Sequence, residues 1–236
     1  MGIKERQERD REAVRRAILD AARELFVTEG FQHVSIRKIA ERIEYSPAAI
    51  YSYFPSKDDI FFALAEQGFR LLGDPANALE QLKHLPAIDR LRAVFWRMYE
   101  FSVEHPQYFA LMFMERSVPR ISREYERFAF MRTRKQDIVG LIDACVASGE
   151  LPPDTPPGAV FRVLTAGLLG IAALRMSDRL APGENADDLA QDVLTVAIAG
   201  LRAGVQFKSK AVSPCEAPGE TDRHSSQALT SAVQES

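Results

Sequence analysis

Cysteine is scarce. Cys145 and Cys215 are the only two, and a separation of 70 residues matches no metal-ligand or redox spacing. The expectation is a reducing compartment, no disulfide framework and no bound metal. The chain is also poor in long apolar runs. Val163 to Leu174 is uncharged for twelve residues, whereas a membrane span needs about 20. Met1 to Glu29 is charged throughout and carries no signal-peptide pattern. A soluble, cytoplasmic protein is expected. No stretch alternates with period two, which speaks against strands. Enzyme signatures are missing as well. His33, His84, His105 and His224 are scattered, with no HExxH, no Ser-centred elbow and no phosphate-cradling glycine loop. Asp187 and Asp188 are explained as first-turn residues of a helix. The chain is therefore read as neither an enzyme nor a cofactor carrier.

What is present is a globular composition. Of 236 residues, 46% are hydrophobic and 27% charged, with a net charge of -3. Charge divides unevenly: +2 over residues 1–57, -4 over 58–206 and -1 over 207–236. A uniformly basic coat is excluded, but a local basic face is not.

Helical periodicity runs almost everywhere, so the fold class is all-α. Val14, Ile18, Ala21, Ala22, Leu25 and Phe26 define a first helix over about 11–29, closed by Gly30. Ser35 caps a second, with Ile36, Ile39, Ala40 and Ile43 apolar, ending near Glu44. Ser46-Pro47 starts a third over 47–53, and Ser56 caps a fourth over 57–72. Further helices are expected at 87–104, 107–114, 120–148, 157–178 and 186–205, separated by Gly and Pro breakers that include Gly73-Asp74-Pro75. The Ser-rich stretch from 208 reads as a disordered tail.

Residues 35–57 have the layout of a helix-turn-helix. The leading end of the second helix is slim: Pro47, Ala48 and Ala49, then Ile50 and Tyr51. A helix that enters a major groove needs such a tip, with methyl groups able to touch thymine methyls. Tyrosine hydroxyls and the Lys57 ammonium can reach phosphates beside it. The segment from Ser35 to Ala40, followed by Ser46-Pro-Ala-Ala-Ile-Tyr51-Ser-Tyr-Phe54-Pro-Ser-Lys57, resembles the DNA-binding domain of the tetracycline-repressor (TetR) family over about residues 11–60. Two positions depart from that family's pattern: Glu44 stands in the turn where glycine is usual, and Tyr45 replaces a small aliphatic residue.

The resemblance implies a homodimeric repressor of near-palindromic operator DNA. It implies residues 1–57 as DNA-binding domain, 58–206 as helical effector and dimerisation domain, and 207–236 as tail. By motif position, Arg37 would reach a base or phosphate and Ser35 a phosphate. Ser46, Pro47, Ala48 and Ala49 would face base edges, while Tyr51, Tyr53 and Lys57 would contact phosphates. Recognition helices would lie roughly 34–36 Å apart across the dimer, or at a related spacing. A small, apolar effector would release the DNA. Its pocket is nominated at Trp96, Tyr99, Tyr108, Met112, Arg116, Phe128, Met131 and Thr165, in helices dense in aromatic and Met residues. Arg116 is the nominee able to pair an anion.

Two helices, around Val163–Leu174 and Val193–Leu201, are too apolar all round to keep a wet face. They are expected to form a four-helix bundle with a twofold mate through Val163, Gly167, Gly170, Leu174, Val193, Ala197, Gly200 and Leu201. Two other readings fit the same helices. One is a DNA-binding protein without an effector. The other is a helical small-molecule-binding or enzymatic protein whose helix-turn-helix is vestigial.

Overall fold

The computed structural model describes residues 2–119 and 127–208. Its elements in chain order are α1 (Ile3–Glu29), a 3-10 turn (Phe31–His33), α2 (Ile36–Arg42), α3 (Pro47–Tyr51), α4 (Lys57–Leu72), α5 (Pro75–Gln81), α6 (Ala87–Glu104), α7 (Pro106–Phe109), α8 (Phe130–Ala147), α9 (Pro157–Met176) and α10 (Ala186–Arg202). A π turn over Ala110–Met114 prolongs α7. No strand occurs among the described residues, so the all-α expectation holds.

Start signals placed most elements correctly. The Ser35, Ser46 and Ser56 hydroxyls each accept the backbone N–H three residues on, at 3.2, 3.2 and 3.1 Å. The break at Gly73-Asp74-Pro75 holds, since α4 ends at Leu72, but the helix that follows it was not expected. There Asp74 accepts from the Ala76 N–H at 3.1 Å and Pro75 fills the first helical position of α5. The pattern is the one that starts α3: a capping side chain followed by proline starts a helix. Helix α1 also begins earlier than expected, at Ile3, with the Glu5 carboxylate accepting from the Gly2 N–H at 3.0 Å. The expected helix over 120–148 is observed from Phe130. Residues 120–126 and the tail from 209 lie outside the described residues.

Two principal cores organise the chain. In the first, Ile18, Ala22 and Phe26 of α1 pack with Ile39 and Ala40 of α2, Ile50 of α3, and Ile60, Phe61 and Leu64 of α4. The second joins Leu91, Phe95 and Tyr99 of α6, Ile142 and Cys145 of α8, Leu164 and Leu168 of α9, and Leu194 and Ile198 of α10. Burying a single such Leu, Ile or Phe contributes about 1.5–3 kcal/mol. Helix α4 runs from the first core to the cavity under α6: Ile60 to Leu64 lie in that core, and Phe69 and Leu72, which also pack with it, border the cavity. Among the described residues, α9 is the one helix long and apolar enough to cross a membrane by length and composition. Arg162 and Arg175 bracket its uncharged run, and it packs on α6, α8 and α10.

Candidate functional site

The turn between α2 and α3 is built on Glu44. Its φ is 59°, in the left-handed region that favours glycine. The Glu44 N–H bonds the Glu41 carbonyl at 3.3 Å, and the Tyr45 N–H reaches back to Ala40 at 2.9 Å. These two bonds make the Schellman closure that ends α2. Ile50 then anchors α3 from beneath with no exposed surface, which turns the opposite side of the helix outward. Ser46, Pro47, Ala48 and Tyr51 are exposed and Ala49 is half-buried. Helix α3 ends at Tyr51, two residues earlier than expected, where the Ser52 hydroxyl bonds the Ala49 carbonyl at 2.6 Å.

Other expected DNA-facing groups are partly engaged inside the chain. Arg37 is exposed but donates through Nε to Glu41 Oε1 at 2.8 Å, leaving the outer guanidinium free of that pair. Lys57 turns inward: its ammonium donates to the Phe31 carbonyl at 2.7 Å and lies over that ring. Tyr53 is half-buried against the first core, with the Arg11 guanidinium 5.8 Å above its ring. Arg15 sits likewise over Phe54, at 5.2 Å. In sequence the run from Lys4 to Arg16 alternates both signs and reads as a solvated lead-in, with a DNA-contacting arm as the alternative, so it does not single out Arg11 and Arg15. Only the packing of α1 shows which cations face the end of α3.

A cavity of about 470 Å³ lies where α4, α5, α6, α8 and α9 meet. Of the eight residues nominated for it, Met131 and Thr165 line it and six lie elsewhere. Tyr99 is fully buried, with its hydroxyl donating to Asp187 at 2.6 Å; burial raises its pKa above the ordinary phenol range. Trp96 stacks near Tyr99 and donates to Glu100 at 2.9 Å. Phe128 fills the space between Phe62 and Phe69. Met112 packs so closely on Gly68 that a methyl group there would require the Met112 thioether to move. Tyr108 is a connector: it accepts from Arg23 of α1 at 2.8 Å and donates to Gln67 of α4 at 2.9 Å. Arg116 is exposed and away from the cavity. The cations that do line it are Arg97, Arg134 and Lys135. They were missed because the helical pattern shows a shared face on one helix but not which faces of five helices converge.

The apolar face of α9 and α10 is narrower than expected. Leu201 is 3% exposed and belongs to the second core, and Val193 and Ala197 pack against it. Gly167 serves the chain itself: a methyl placed there would stand 2.7 Å from Val193 Cγ1. The residues left facing outward are Val163, Gly170 and Leu174 on α9, with Val196 on α10 at 72% exposure. Gly200 is half-buried, with open space where a side chain would begin.

Comparison with known proteins is consistent over both regions. A profile described as "Bacterial regulatory proteins, tetR family" matches residues 18–64, and one described as "Tetracyclin repressor-like, C-terminal domain" matches 91–197. The chain is 42% identical over 55 residues to the HTH-type transcriptional repressor Rv1474c of Mycobacterium tuberculosis, covering 23% of this chain and 29% of that protein. It is 28% identical over 152 residues to the HTH-type transcriptional regulator RutR of Escherichia coli K12, covering 64% and 70%. Matches to the first of these curated relatives span only about a third of their length. In structure, the chain resembles NalD, the secondary repressor of the MexAB-OprM efflux pump in Pseudomonas aeruginosa. That likeness has a TM-score of 0.64 at 23% identity, over 82% of this chain and 98% of that one.

Proposed function

The chain belongs to the tetR family of bacterial regulatory proteins, and from that premise we propose that it is a ligand-released transcriptional repressor. It binds a near-palindromic DNA site as a homodimer, and its place is the cytoplasm, with the chromosome. The observation that carries this reading is α3: a short helix pinned by Ile50, with Ser46, Pro47 and Ala48 projecting outward. A tip without bulk, capped at its start, suits the major groove floor. Binding rather than catalysis is its task, in keeping with relatives that are transcriptional regulators.

Residues 1–57 serve as the DNA-binding unit and 58–206 as the effector and dimerisation unit, with α4 shared between them. The start of α4 is fixed in the DNA-side core, and its end borders the cavity. A ligand that prefers one position of that end shifts the population of α3 spacings. The outward strip of Val163, Gly170, Leu174 and Val196 meets its twofold copy.

Selection of random duplexes by the purified protein tests the reading, followed by titration at two salt concentrations. A two-half-site motif is expected, with affinity falling as salt rises. Absence of an enriched motif, or affinity indifferent to salt, would sink it.

A further inference from the structure

Arg134 is a half-buried cation at one end of the cavity. Its guanidinium donates to the Phe69 carbonyl at 3.4 Å and to that of Gly73, both at the C-terminal end of α4. Among the described residues no carboxylate reaches ion-pair distance of it. Asp74 and Asp137 act on it only at longer range, and burial holds its pKa below the ordinary guanidinium value. A charge removed from water without a counter-ion is unfavourable. Asp74, the lone carboxylate lining the cavity, accepts from the Ala76 N–H in the first turn of α5 and makes no ion pair with Arg134. Arg97 is already neutralised by Glu104 at 2.8 Å and Glu100 at 3.4 Å. Lys135 lines the same end and has no ion pair among the described residues. Three cations, Arg97, Arg134 and Lys135, thus line the cavity against one carboxylate, Asp74. Most of the remaining wall is apolar, with Phe95, Met98, Phe113, Ile138 and Phe161, and its neutral polar members are Asn77, Gln81 and Thr165.

We propose that the cavity takes an anionic amphiphile: an apolar body among these side chains, and one carboxylate, sulfonate or phosphate-type head on Arg134 and Lys135. Its volume of about 470 Å³ lies within the roughly 300–1,000 Å³ of small-molecule sites. That this ligand is regulatory rests on the effector reading above. The geometry supplies a route for it, because Arg134 also holds the last carbonyls of α4. An anion that draws the guanidinium away uncovers that end of the helix.

Fluorescence titration of the full chain with two probes tests the ligand class. One is 8-anilinonaphthalene-1-sulfonate; the other is N-phenyl-1-naphthylamine, the same rings without the charge. The sulfonate should bind about tenfold tighter, the scale of one charge-assisted hydrogen bond. Arg134→Met should remove most of that preference and leave the neutral probe within about twofold. Lys135→Met, which touches no α4 carbonyl, should weaken the sulfonate selectively by about threefold and serves where Arg134→Met perturbs folding. Thr165→Trp, which fills the cavity, should abolish both signals. Equal affinity for the two probes, losses that ignore charge, or binding that survives Thr165→Trp would overturn the proposal. If the charge preference holds but the sulfonate leaves affinity for the selected duplex unchanged, the ligand class stands and the effector reading falls. If both probes release the duplex with no preference for charge, the effector reading stands and the ligand class falls.

Discussion

The Lys57 ammonium donates to the Phe31 carbonyl at 2.7 Å and stands 4.2 Å from the centre of the Phe31 ring. This one side chain ties the start of α4 to the turn that follows α1. Lys57→Ala should therefore lower the unfolding free energy by about 2–4 kcal/mol, the sum of a charged hydrogen bond and a cation–π contact. Tyr51→Ala, at a residue 54% exposed, should change stability by no more than about 0.5 kcal/mol while weakening DNA binding. Urea melts alongside DNA titrations separate the two. Equal stability loss from both would contradict the roles assigned.

Glu44 holds φ at 59° without the freedom of glycine. Glu44→Gly should stabilise the protein by about 0.5–1 kcal/mol, and Glu44→Val should destabilise it by at least as much. The glycine variant should also bind DNA more tightly, since a carboxylate beside phosphate is removed. Chemical denaturation checks the first effect. No gain from glycine would mean that Glu44 makes a compensating contact.

Gly167 and Val193 should be coupled within one chain. Gly167→Ala brings a methyl to 2.7 Å from Val193 Cγ1 and should destabilise by about 1–3 kcal/mol. Val193→Ala in the same chain should recover most of that loss. A double-mutant cycle measured at constant protein concentration gives the coupling. Strictly additive losses would move Gly167 back to an interface between chains.

Val196 is 72% exposed on α10 and Leu174 37% exposed on α9. Charge placed on a buried twofold patch faces its own copy. Val196→Asp with Leu174→Asp should shift sedimentation from dimer to monomer and abolish binding to a two-half-site duplex. Unchanged sedimentation would place the interface elsewhere.

Burial pushes the Cys145 thiol up to about 11 and raises Tyr99 as well. Both stay neutral in the folded chain at pH values where the unfolded chain ionises. The Cys145 contribution to stability is whole below the unfolded thiol value of about 8.5. It is lost as pH rises through the folded value of about 11. Urea midpoints should fall across that interval, and less steeply in Cys145→Ala. A flat profile would show that Cys145 is more open to water than its burial implies.

Element identity was legible in the sequence because helix starts are local. Ser35, Ser46 and Ser56 announce themselves through a hydroxyl and an N–H three residues away, within one turn of chain. The α2–α3 turn and the outward tip of α3 followed for the same reason, since a buried Ile50 dictates where Pro47 and Ala48 point. Asp74-Pro75 carried the same signal and was passed over only because Gly73 stands before it.

Side-chain partners across helices were another matter. Tyr99, Tyr108 and Phe128 looked like pocket residues by composition, but their neighbours are Asp187, Gln67 and Phe62, each far away in sequence. Periodicity fixes a residue's azimuth on its own helix and carries no term for where the next helix docks. Arg134 became a candidate for anion binding only when α8 was laid against the end of α4, and Gly167 became an internal contact only when α10 brought Val193 to it. Sequence determined the helices and their wet and dry sides; close packing between them decided which of those sides became core, cavity or free surface.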